Sequence, residues 1–447
     1  MPLSPDGAPT AAARSRRSAW PAIAMAAGGF WLTLFVFYPG VMTFDAKYVY
    51  LDIAKGLYGD WQSPAMTLLW KLIDPLAPGT ASMFLAVAML YWLGFGLIAI
   101  ALAQRSIWHA AVLLLLAISP PAFVFVGTIW RDVLFACTWL SAAALVFAVA
   151  DSVRPLRLTV RGAALALLAL GVLLRPNALI AAPILAAYIL WPTQFFWRRA
   201  AILFVPAVIA FYLLVQIVYY GALGATRQNP LHSLLVFDLG GISHFTKHNQ
   251  YPVTFSAPET ALLLDGCYRP TEWDIYWRHE PCRFVMVRLE GDKLFGTPAI
   301  PRAWLGAVTR HPIAYLQHRT AFMWNFLSRA NPTMWTYNIE EPDKPILGGR
   351  PAIVAVMAID SALKATPLFR AGSWLLLCIA ACACAWRRRD TPAGAFALGV
   401  CGSGTVYVLS FFIFGVASDF RYGYWAVLAG IGGAVVTAAG AIRRRSP

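Results

Sequence analysis

Long apolar runs separated by short polar segments dominate the chain. The runs Ala22–Tyr38, Phe84–Ala103, Val133–Ala150 and Ala200–Tyr219 each have about the length needed to cross a hydrocarbon core of ~30 Å. Ionisable side chains gather at the ends of the runs rather than inside them. The pattern predicts about ten membrane-spanning helices. We place them at 20–40, 83–103, 107–123, 133–150, 162–175, 177–191, 200–219, 368–386, 394–415 and 423–442.

These spans divide the chain into four parts. We expect a disordered cytoplasmic tail over residues 1–19 and an N-terminal transmembrane module over 20–220, with a first outer loop at 41–82. An insert at 221–367 and C-terminal transmembrane helices at 368–447 complete the division. The first apolar run continues without a small-residue cleavage site, which favours an uncleaved span over a signal peptide. The predicted fold class is therefore an all-α membrane protein with outer surface helices.

The composition and the sidedness of charge agree with this division. Hydrophobic residues make up 59% of the chain, charged residues make up 13%, and the mean hydropathy is +0.62. These values exclude an ordinary soluble domain. Arginines crowd the boundaries on one side, where the acids are Asp6, Asp151 and Asp390. Positive-inside bias then predicts that both termini are cytoplasmic and that the chemistry faces outward. The net charge of +15 thus reflects topology, so we expect no nucleic-acid partner.

The first outer loop contains two candidate surface helices. Asp45 and Asp52 share one helical face, Gly56 and Gly59 interrupt the run, and Ser63-Pro64 opens a second amphipathic segment. The two aspartates are either solvated charges, partly paired with neighbouring lysines, or functional groups. The residue pattern alone leaves both readings open.

The insert contains two cysteines, Cys267 and Cys282, within an aromatic and proline-rich stretch. Two cysteines at this spacing on an oxidising face favour a disulfide, which would contribute about 3 kcal/mol in the chain-entropy model. A metal pair with His279 as third ligand is the alternative, but the spacing matches no common zinc pattern. We expect the insert to form a cap over the membrane domain.

Polar residues from several separate loops lie at the predicted outer boundaries. Each one alone is typical of an interfacial anchor. Arginines and carboxylates from several loops can nevertheless converge at the outer mouth of a helix bundle, where guanidinium groups bind phosphate oxygens. The residues in question are Arg131, Asp132, Arg175, Asn177, His232, Asp238, His311, Gln317, His318, Arg319, Asp419, Arg421 and Tyr422.

Short motifs in these loops carry a family resemblance. They are Pro39-Gly40 with Phe44-Asp45, then Gly59–Pro64, Gly127–Leu134, Leu174–Ala178 and Phe420–Tyr422. In this order they resemble bacterial, dolichyl-phosphate-mannose-mannosyltransferase-like membrane glycosyltransferases of the C-type superfamily, which use polyprenyl-phosphate sugar donors. The chain departs from the pattern with Gln62, where a histidine is common, and with Arg131, where a lysine is common. No histidine role is therefore carried over to position 62.

The resemblance implies a mechanism and a set of site residues. Asp45 would be the base that takes the proton of an acceptor hydroxyl, a role worth about 10²–10⁴-fold in rate. Arginines would stabilise the phosphate leaving group, and Asp132 would orient one of them or help to hold a divalent cation. The resemblance does not decide whether Mg²⁺ or Mn²⁺ is a cofactor. Our candidates for the donor phosphate are Arg131, Arg175, Arg319 and Arg421. Our candidates for substrate binding are Asp60, Gln62, Asn177, His232, Asp238, His311 and Tyr422.

The resemblance also implies the partners and the location. The chain would act in a bacterial inner membrane on a polyprenyl-phosphate sugar, with a glycan, a glycolipid or a protein as the outer acceptor. Two other functions are compatible with a polytopic chain: a lipid or glycan transporter or flippase, and a non-catalytic protein of envelope-polymer assembly. Ion-coupled transporters usually place polar sites near the membrane midplane. Here Gln216 is one of the few strongly polar side chains within any span.

Overall fold

Helices account for nearly all regular structure in the computed structural model, which describes residues 19–150, 154–329 and 333–441. Within these ranges, β-type pairing is limited to three isolated bridges. The predicted all-α fold class is confirmed. The predicted N-terminal tail, except for Ala19, lies outside the described residues.

In the described residues, the N-terminal module contains ten α-helices, the 3₁₀ turns Asp74–Leu76 and Pro176–Ile180, and one π-helical turn. The helices are α1 (Trp20–Phe37), α2 (Phe44–Lys55), α3 (Pro64–Ile73), α4 (Thr80–Ala103), α5 (Ile107–Ala117), α6 (Pro120–Phe123), α7 (Arg131–Ala148), α8 (Arg154–Leu174), α9 (Ala182–Leu190) and α10 (Trp197–Leu214). The π-helical turn Val215–Ala222 continues α10.

The insert and the C-terminal part contribute the remaining helices. Those of the insert are α11 (Leu231–Thr246), α12 (Ala257–Asp265), α13 (Phe284–Gly291), α14 (Ala299–Arg310), α15 (Pro312–Ser328) and α16 (Pro351–Leu363). Those of the C-terminal part are α17 (Ala371–Trp386), α18 (Pro392–Phe414) and α19 (Tyr424–Ala441).

Seven segments of the described chain are long and apolar enough to cross a membrane. They are Trp20–Phe37, Thr80–Ala103, Arg131–Ala148, Pro155–Leu174, Trp197–Ala222, Pro392–Phe414 and Phe420–Ala441. The other three of the ten predicted spans contain the shorter helices α5, α9 and α17. Prolines explain why two of these helices are short. Pro120 opens a new turn after α5, and Pro176 opens a 3₁₀ turn between α8 and α9.

The first outer loop forms the two predicted surface helices. The hydroxyl of Thr43 caps α2 by accepting from the Ala46 amide, and the hydroxyl of Ser63 caps α3 by accepting from the Met66 amide. Gly56 ends α2 in the left-handed conformation, with φ of 66°. Local sequence signals therefore set the ends of both helices.

The core of the bundle is built around α7, which packs against α4, α8 and α19. Its side chains are almost all buried, including Trp139 and Leu140. Gly94 of α4 allows a close approach, because a Cβ there would lie 2.7 Å from Cγ of Leu140. Small residues at such contacts let membrane helices pack backbone to backbone.

The two ends of the bundle differ in character. Helix α18 has 23 residues and is therefore about 35 Å long. At its N-terminal end, the Phe195 amide donates to the carbonyl of Arg389 (2.9 Å), in a region rich in arginine. Its C-terminal end leads into the segment 415–422, which carries Arg421 and Tyr422. The candidate site is at this second end.

Candidate active site

Asp45 is positioned by backbone pairing between the segments that precede α2 and α7. The amide of Val41 donates to the carbonyl of Gly127 (2.8 Å), and the amide of Ile129 donates to the carbonyl of Val41 (3.1 Å). The hydroxyl of Thr43 donates to the carbonyl of Ile129 (3.1 Å). This pairing brings the first turn of α2, with Asp45, beside the first turn of α7.

The turn before α3 closes the site from a second direction. Nε2 of Gln62 donates to Oδ1 of Asp45 at 3.3 Å. Nη1 of Arg131, the first residue of α7, donates to the carbonyl of Trp61 at 3.0 Å. Asp45, Gln62 and Arg131 thus meet where α2, α3 and α7 begin.

Arg421 lies at the centre of the site and contacts two carboxylates. Its Nη1 is 3.4 Å from Oδ2 of Asp45, and its Nε is 3.3 Å from Oδ2 of Asp419. The guanidinium lies over the Trp130 ring, 4.6 Å from its centroid, and donates to the hydroxyl of Tyr422 at 3.2 Å. The Asp45 side chain is 41% exposed and that of Arg421 is 14% exposed, so the pair can be reached by a ligand.

A second ion pair, more buried than the contact between Arg421 and Asp45, supports the site. Arg175 pairs with Asp132, and both side chains are almost fully buried. The Arg175 guanidinium also lies over the Tyr422 ring, 4.7 Å from its centroid. Asn177, in the turn after α8, lies against Tyr407 of α18. Tyr422 is therefore held between Arg175 and Arg421, and the first of these is fixed by Asp132.

The cluster of Asp45, Asp132, Asp419, Arg131, Arg175 and Arg421 is formally neutral, and its surroundings move the pKa values of two aspartates in opposite directions. Burial tends to raise the pKa of Asp45, but Arg421, with Arg131 and Arg175, holds it below its usual value. Burial raises the pKa of Asp419 against the opposing effect of Arg421. Asp45 is therefore ionised at neutral pH, as a base must be.

Arg319 and Asp238 lie elsewhere, where the insert meets the end of α18, and Nη1 of Arg319 donates to the carbonyl of Gly415 (2.6 Å). Nη2 of Arg319 is 2.5 Å from Oδ1 of Asp238, and both side chains are inaccessible to solvent. The other Asp238 oxygen accepts from Nε1 of Trp304 (2.7 Å), and His318 lies 3.3 Å from Oδ1. Burial lowers the pKa of His318, which favours the neutral ring. The structure does not bring this group to the arginine cluster.

Three further predicted residues also lie outside the cluster. Asp60 is tied to the end of the π-helical turn, where it accepts from the hydroxyl of Tyr220 (2.8 Å) and from the amide of Gln228 (2.6 Å). His232 accepts from the Gly296 amide (3.1 Å), and His311 lies at the junction of α14 and α15. Asp60 and His232 therefore fix turns of the chain.

The insert contacts the bundle beside Asp419. Cys267 and Cys282 form a disulfide, and the segment between them pairs with residues 416–418. The amide of Trp273 donates to the carbonyl of Val416 (2.9 Å), and the amide of Ser418 donates to the carbonyl of Thr271 (2.8 Å). The disulfide-closed segment of the insert therefore holds the loop that leads to Arg421.

Two neighbours of Arg421 had no predicted role in the site, although Asp419 belonged to the wider set of outer polar residues. Asp419 precedes Arg421 by two residues, and Trp130 precedes Arg131 by one. The carboxylate next to an arginine was a visible signal for Asp419. The position of Trp130 under Arg421 depends on the packing of α7 against the last loop, which no local pattern contains.

A divalent cation has no evident ligand set in this cluster. Among the residues described, no three histidine, cysteine or acidic side chains are grouped so that they could hold a metal ion. Asp45, Asp132 and Asp419 each face an arginine instead. The residues present do not fit a metal ion, and we derive no step through one.

Comparisons with known proteins identify no function for the chain. No family model and no curated protein sequence matches the chain. Among solved structures, the chain is similar to the crystal structure of ArnT from Cupriavidus metallidurans in the apo state, with 16% sequence identity and a TM-score of 0.35. The match covers 89% of this chain and 78% of that one. A likeness at this TM-score carries no weight for function.

Proposed function

We propose that the chain is a membrane glycosyltransferase that moves a sugar from a polyprenyl-phosphate donor to the hydroxyl of an outer acceptor. The observation that supports this most is the partly exposed carboxylate of Asp45, held among three arginines at one end of the bundle. The base and the anion-binding groups that such a transfer requires are thus within reach of one another. The residue motifs around them resemble those of the glycosyltransferases described above.

The donor phosphate is assigned to Arg421 and Arg131. Arg421 is partly exposed, and its guanidinium contacts two carboxylates that a phosphate can replace. Arg131 donates from one nitrogen to a backbone carbonyl, which leaves other donors on its guanidinium. Arg175 supports them from below, fixed by Asp132. Arg319 and Asp238 are left out of the proposed site because they are buried where the insert meets the end of α18.

The transfer is a single displacement. The acceptor oxygen attacks the anomeric carbon while the bond from that carbon to the phosphate oxygen breaks, and the electron pair leaves with polyprenyl phosphate. The hydroxyl proton passes to Oδ1 or Oδ2 of Asp45. Attack opposite to the leaving group inverts the anomeric configuration. Arg421 and Arg131 stabilise the negative charge that develops on the phosphate.

Donor binding also prepares the base. In the structure, Arg421 stabilises the charged form of Asp45 and so makes it a weaker base. A phosphate bound to Arg421 competes for the same guanidinium and reduces that stabilisation. The pKa of Asp45 then rises, and its affinity for the hydroxyl proton increases. Gln62 keeps the carboxylate in place during this exchange through its 3.3 Å hydrogen bond.

The test is incubation of the purified protein with a panel of radiolabelled polyprenyl-phosphate sugars, with the release of free polyprenyl phosphate as the readout. We expect release with at least one donor. Absence of release with every donor, together with movement of a labelled lipid across vesicles containing the protein, would instead support a flippase.

A further inference from the structure

Two tryptophans of the insert continue a row of rings that begins at Trp61 of the first outer loop. The Trp61 and Trp273 rings have centroids 5.7 Å apart, and Trp273 stacks on Trp277 at 5.8 Å with an interplanar angle of 20°. Trp273 is buried, Trp61 is partly buried, and Trp277 is 42% exposed. Trp61 directly precedes Gln62, the hydrogen-bond partner of Asp45. The tryptophan row (Trp61, Trp273 and Trp277) therefore leads from the proposed base to the surface of the insert.

The same segment of the insert contacts the first outer loop at a second point. The Arg278 guanidinium lies over the ring of Phe44, 5.6 Å from its centroid, and Phe44 directly precedes Asp45. Trp277 thus lies between two contacts of the insert with the first outer loop, one at Trp61 and one at Phe44. Both of these residues directly precede a residue of the proposed site. A ligand on Trp277 would be close to the mouth of the arginine cluster.

Carboxylates surround the exposed end of the row. Oδ1 of Asp274 accepts from Nε1 of Trp277 at 3.2 Å and fixes the orientation of the indole. Glu272 is half-buried beside it, and burial, with the neighbouring Asp274, raises the pKa of Glu272. Within the described part of the chain, neither carboxylate has a cationic nitrogen within 4 Å, although the charges of His279 and Arg269 act on Glu272. Their oxygens can therefore accept hydrogen bonds from a ligand.

The combination of aromatic and acidic groups indicates which ligand fits. Aromatic faces stack against apolar C–H surfaces, and carboxylates accept hydrogen bonds from hydroxyl groups. A pyranose ring presents both on adjacent faces. An exposed tryptophan at a membrane surface is often an interfacial anchor. An anchor needs its indole N–H for the head-group region, whereas Nε1 of Trp277 already donates to Asp274.

We propose that Trp277, with Glu272 and Asp274, forms a subsite for the sugar of a carbohydrate acceptor. This inference rests on the proposed function and narrows its acceptor to a glycan or a glycolipid. The acceptor ring stacks on Trp277, its hydroxyl groups donate to the two carboxylates, and the row directs the reacting hydroxyl toward Asp45. Trp273 is a positioning residue that supports Trp277 from behind.

The test measures sugar binding without any donor. Saturation-transfer difference NMR is recorded for the full chain in detergent with the methyl pyranosides of glucose, galactose, mannose and N-acetylglucosamine, and with a serine-containing peptide. We expect at least one pyranoside to bind. Its affinity should fall about tenfold or more in Trp277→Ala and in Glu272→Ala, and Trp277→Phe should restore part of it. Trp324→Ala is the matched control, because Trp324 is 68% exposed on α15 of the same insert.

The outcomes separate this inference from the proposed function. Unchanged pyranoside binding in Trp277→Ala, or binding of the peptide with no pyranoside bound, would overturn the subsite. Wild-type protein that binds a pyranoside through Trp277 but releases no polyprenyl phosphate would refute the proposed function and leave the subsite standing. With an active enzyme, Trp277→Ala should raise the acceptor KM and leave the donor KM unchanged.

Discussion

Asp45 and Asp419 share one guanidinium, that of Arg421, yet their surroundings favour different protonation states. The three arginines favour the charge on Asp45, whereas burial disfavours the charge on Asp419. At the residue scale, Asp45 therefore keeps its negative charge to lower pH than Asp419 does.

The first prediction concerns Asp45→Asn. The amide keeps the shape of the side chain but removes its basicity, so we expect polyprenyl phosphate release to fall by about 10²–10⁴-fold. Asp52→Asn is the matched control, because Asp52 lies on the same helix and forms no ion pair with an arginine among the residues described. Activity of Asp45→Asn within a few-fold of wild type would contradict the assignment of the base.

The second prediction concerns the pH dependence of kcat/KM. Asp45 acts in its charged form, so activity decreases as the pH falls through its pKa, which the arginines hold below the usual value. The hydrogen bond from Gln62 also stabilises the charged form. Gln62→Leu removes that bond, so the pKa rises and the acidic limb of the profile should move to higher pH. Gln62→His, which keeps a donor, is the control. An acidic limb at the same pH in Gln62→Leu as in the wild type would contradict an effect of this hydrogen bond on the pKa of Asp45.

The third prediction separates donor binding from proton transfer. Lysine cannot reproduce the planar fork with which Arg421 contacts phosphate, so Arg421→Lys should cost about 1–3 kcal/mol. We expect this loss of binding energy to appear as a higher KM for the lipid donor, with little change in the KM for the acceptor. Arg302→Lys, an exposed change on α14, should leave both values unaltered. An unchanged donor KM in Arg421→Lys would move the phosphate site toward Arg131 and Arg175.

At the scale of elements, local signals predicted the surface helices but not every helix of the insert. Gly56 was predicted to end the first surface helix and Ser63-Pro64 to open the second, and the structure has α2 end at Gly56 and α3 begin after Ser63. Helix α16 was not predicted, although it is apolar. It packs against α1 and α6, and Arg350 before it donates to the Val36 carbonyl at 3.3 Å. Those contacts join positions more than 200 residues apart along the chain, and no local pattern encodes them.

The fourth prediction concerns the disulfide-closed segment of the insert. Cys267→Ser should destabilise the closed loop by about 3 kcal/mol. Because this loop pairs with residues 416–418, we expect a lower kcat and faster hydrogen exchange at 271–273 and 416–418. The helices of the bundle should keep their protection. Cys384→Ser is the control, since Cys384 is a free and exposed cysteine. Unaltered exchange at 416–418 would show that the disulfide does not position the last loop.

At the scale of the whole molecule, the fifth prediction concerns orientation. Arg389 and the segment 415–422 lie at opposite ends of α18, about 35 Å apart. A reporter that is active only in the cytoplasm should be active when fused after Arg389. The same reporter should be silent when inserted near His248, in the exposed turn after α11. The reverse result would place the cluster on the cytoplasmic side and exclude the proposed outer acceptor.

The sequence predicted part of the set of residues that come together in the site. Charges at span ends predicted that Arg131, Arg175 and Arg421 meet, because span ends on one side share one surface. The structure brings them together. Arg319 was instead predicted from the segment 301–328 of the insert, which has the pattern of an amphipathic helix, and it is buried with Asp238. A polar residue on an amphipathic helix can face either water or a polar core, and the sequence pattern is the same for both.

The pairing of Glu272 with Ala417 also constrains how the protein is made. The two residues are separated by about 145 positions, which takes roughly 7–30 s to synthesise. During that interval the insert has been translated, but its partner segment and Arg421 have not. A nascent chain arrested before residue 415 would carry Asp45 and the tryptophan row without the central guanidinium. Ribosome-bound chains of that length should therefore be inactive, and activity should first appear after α18 and the loop that follows it have left the ribosome.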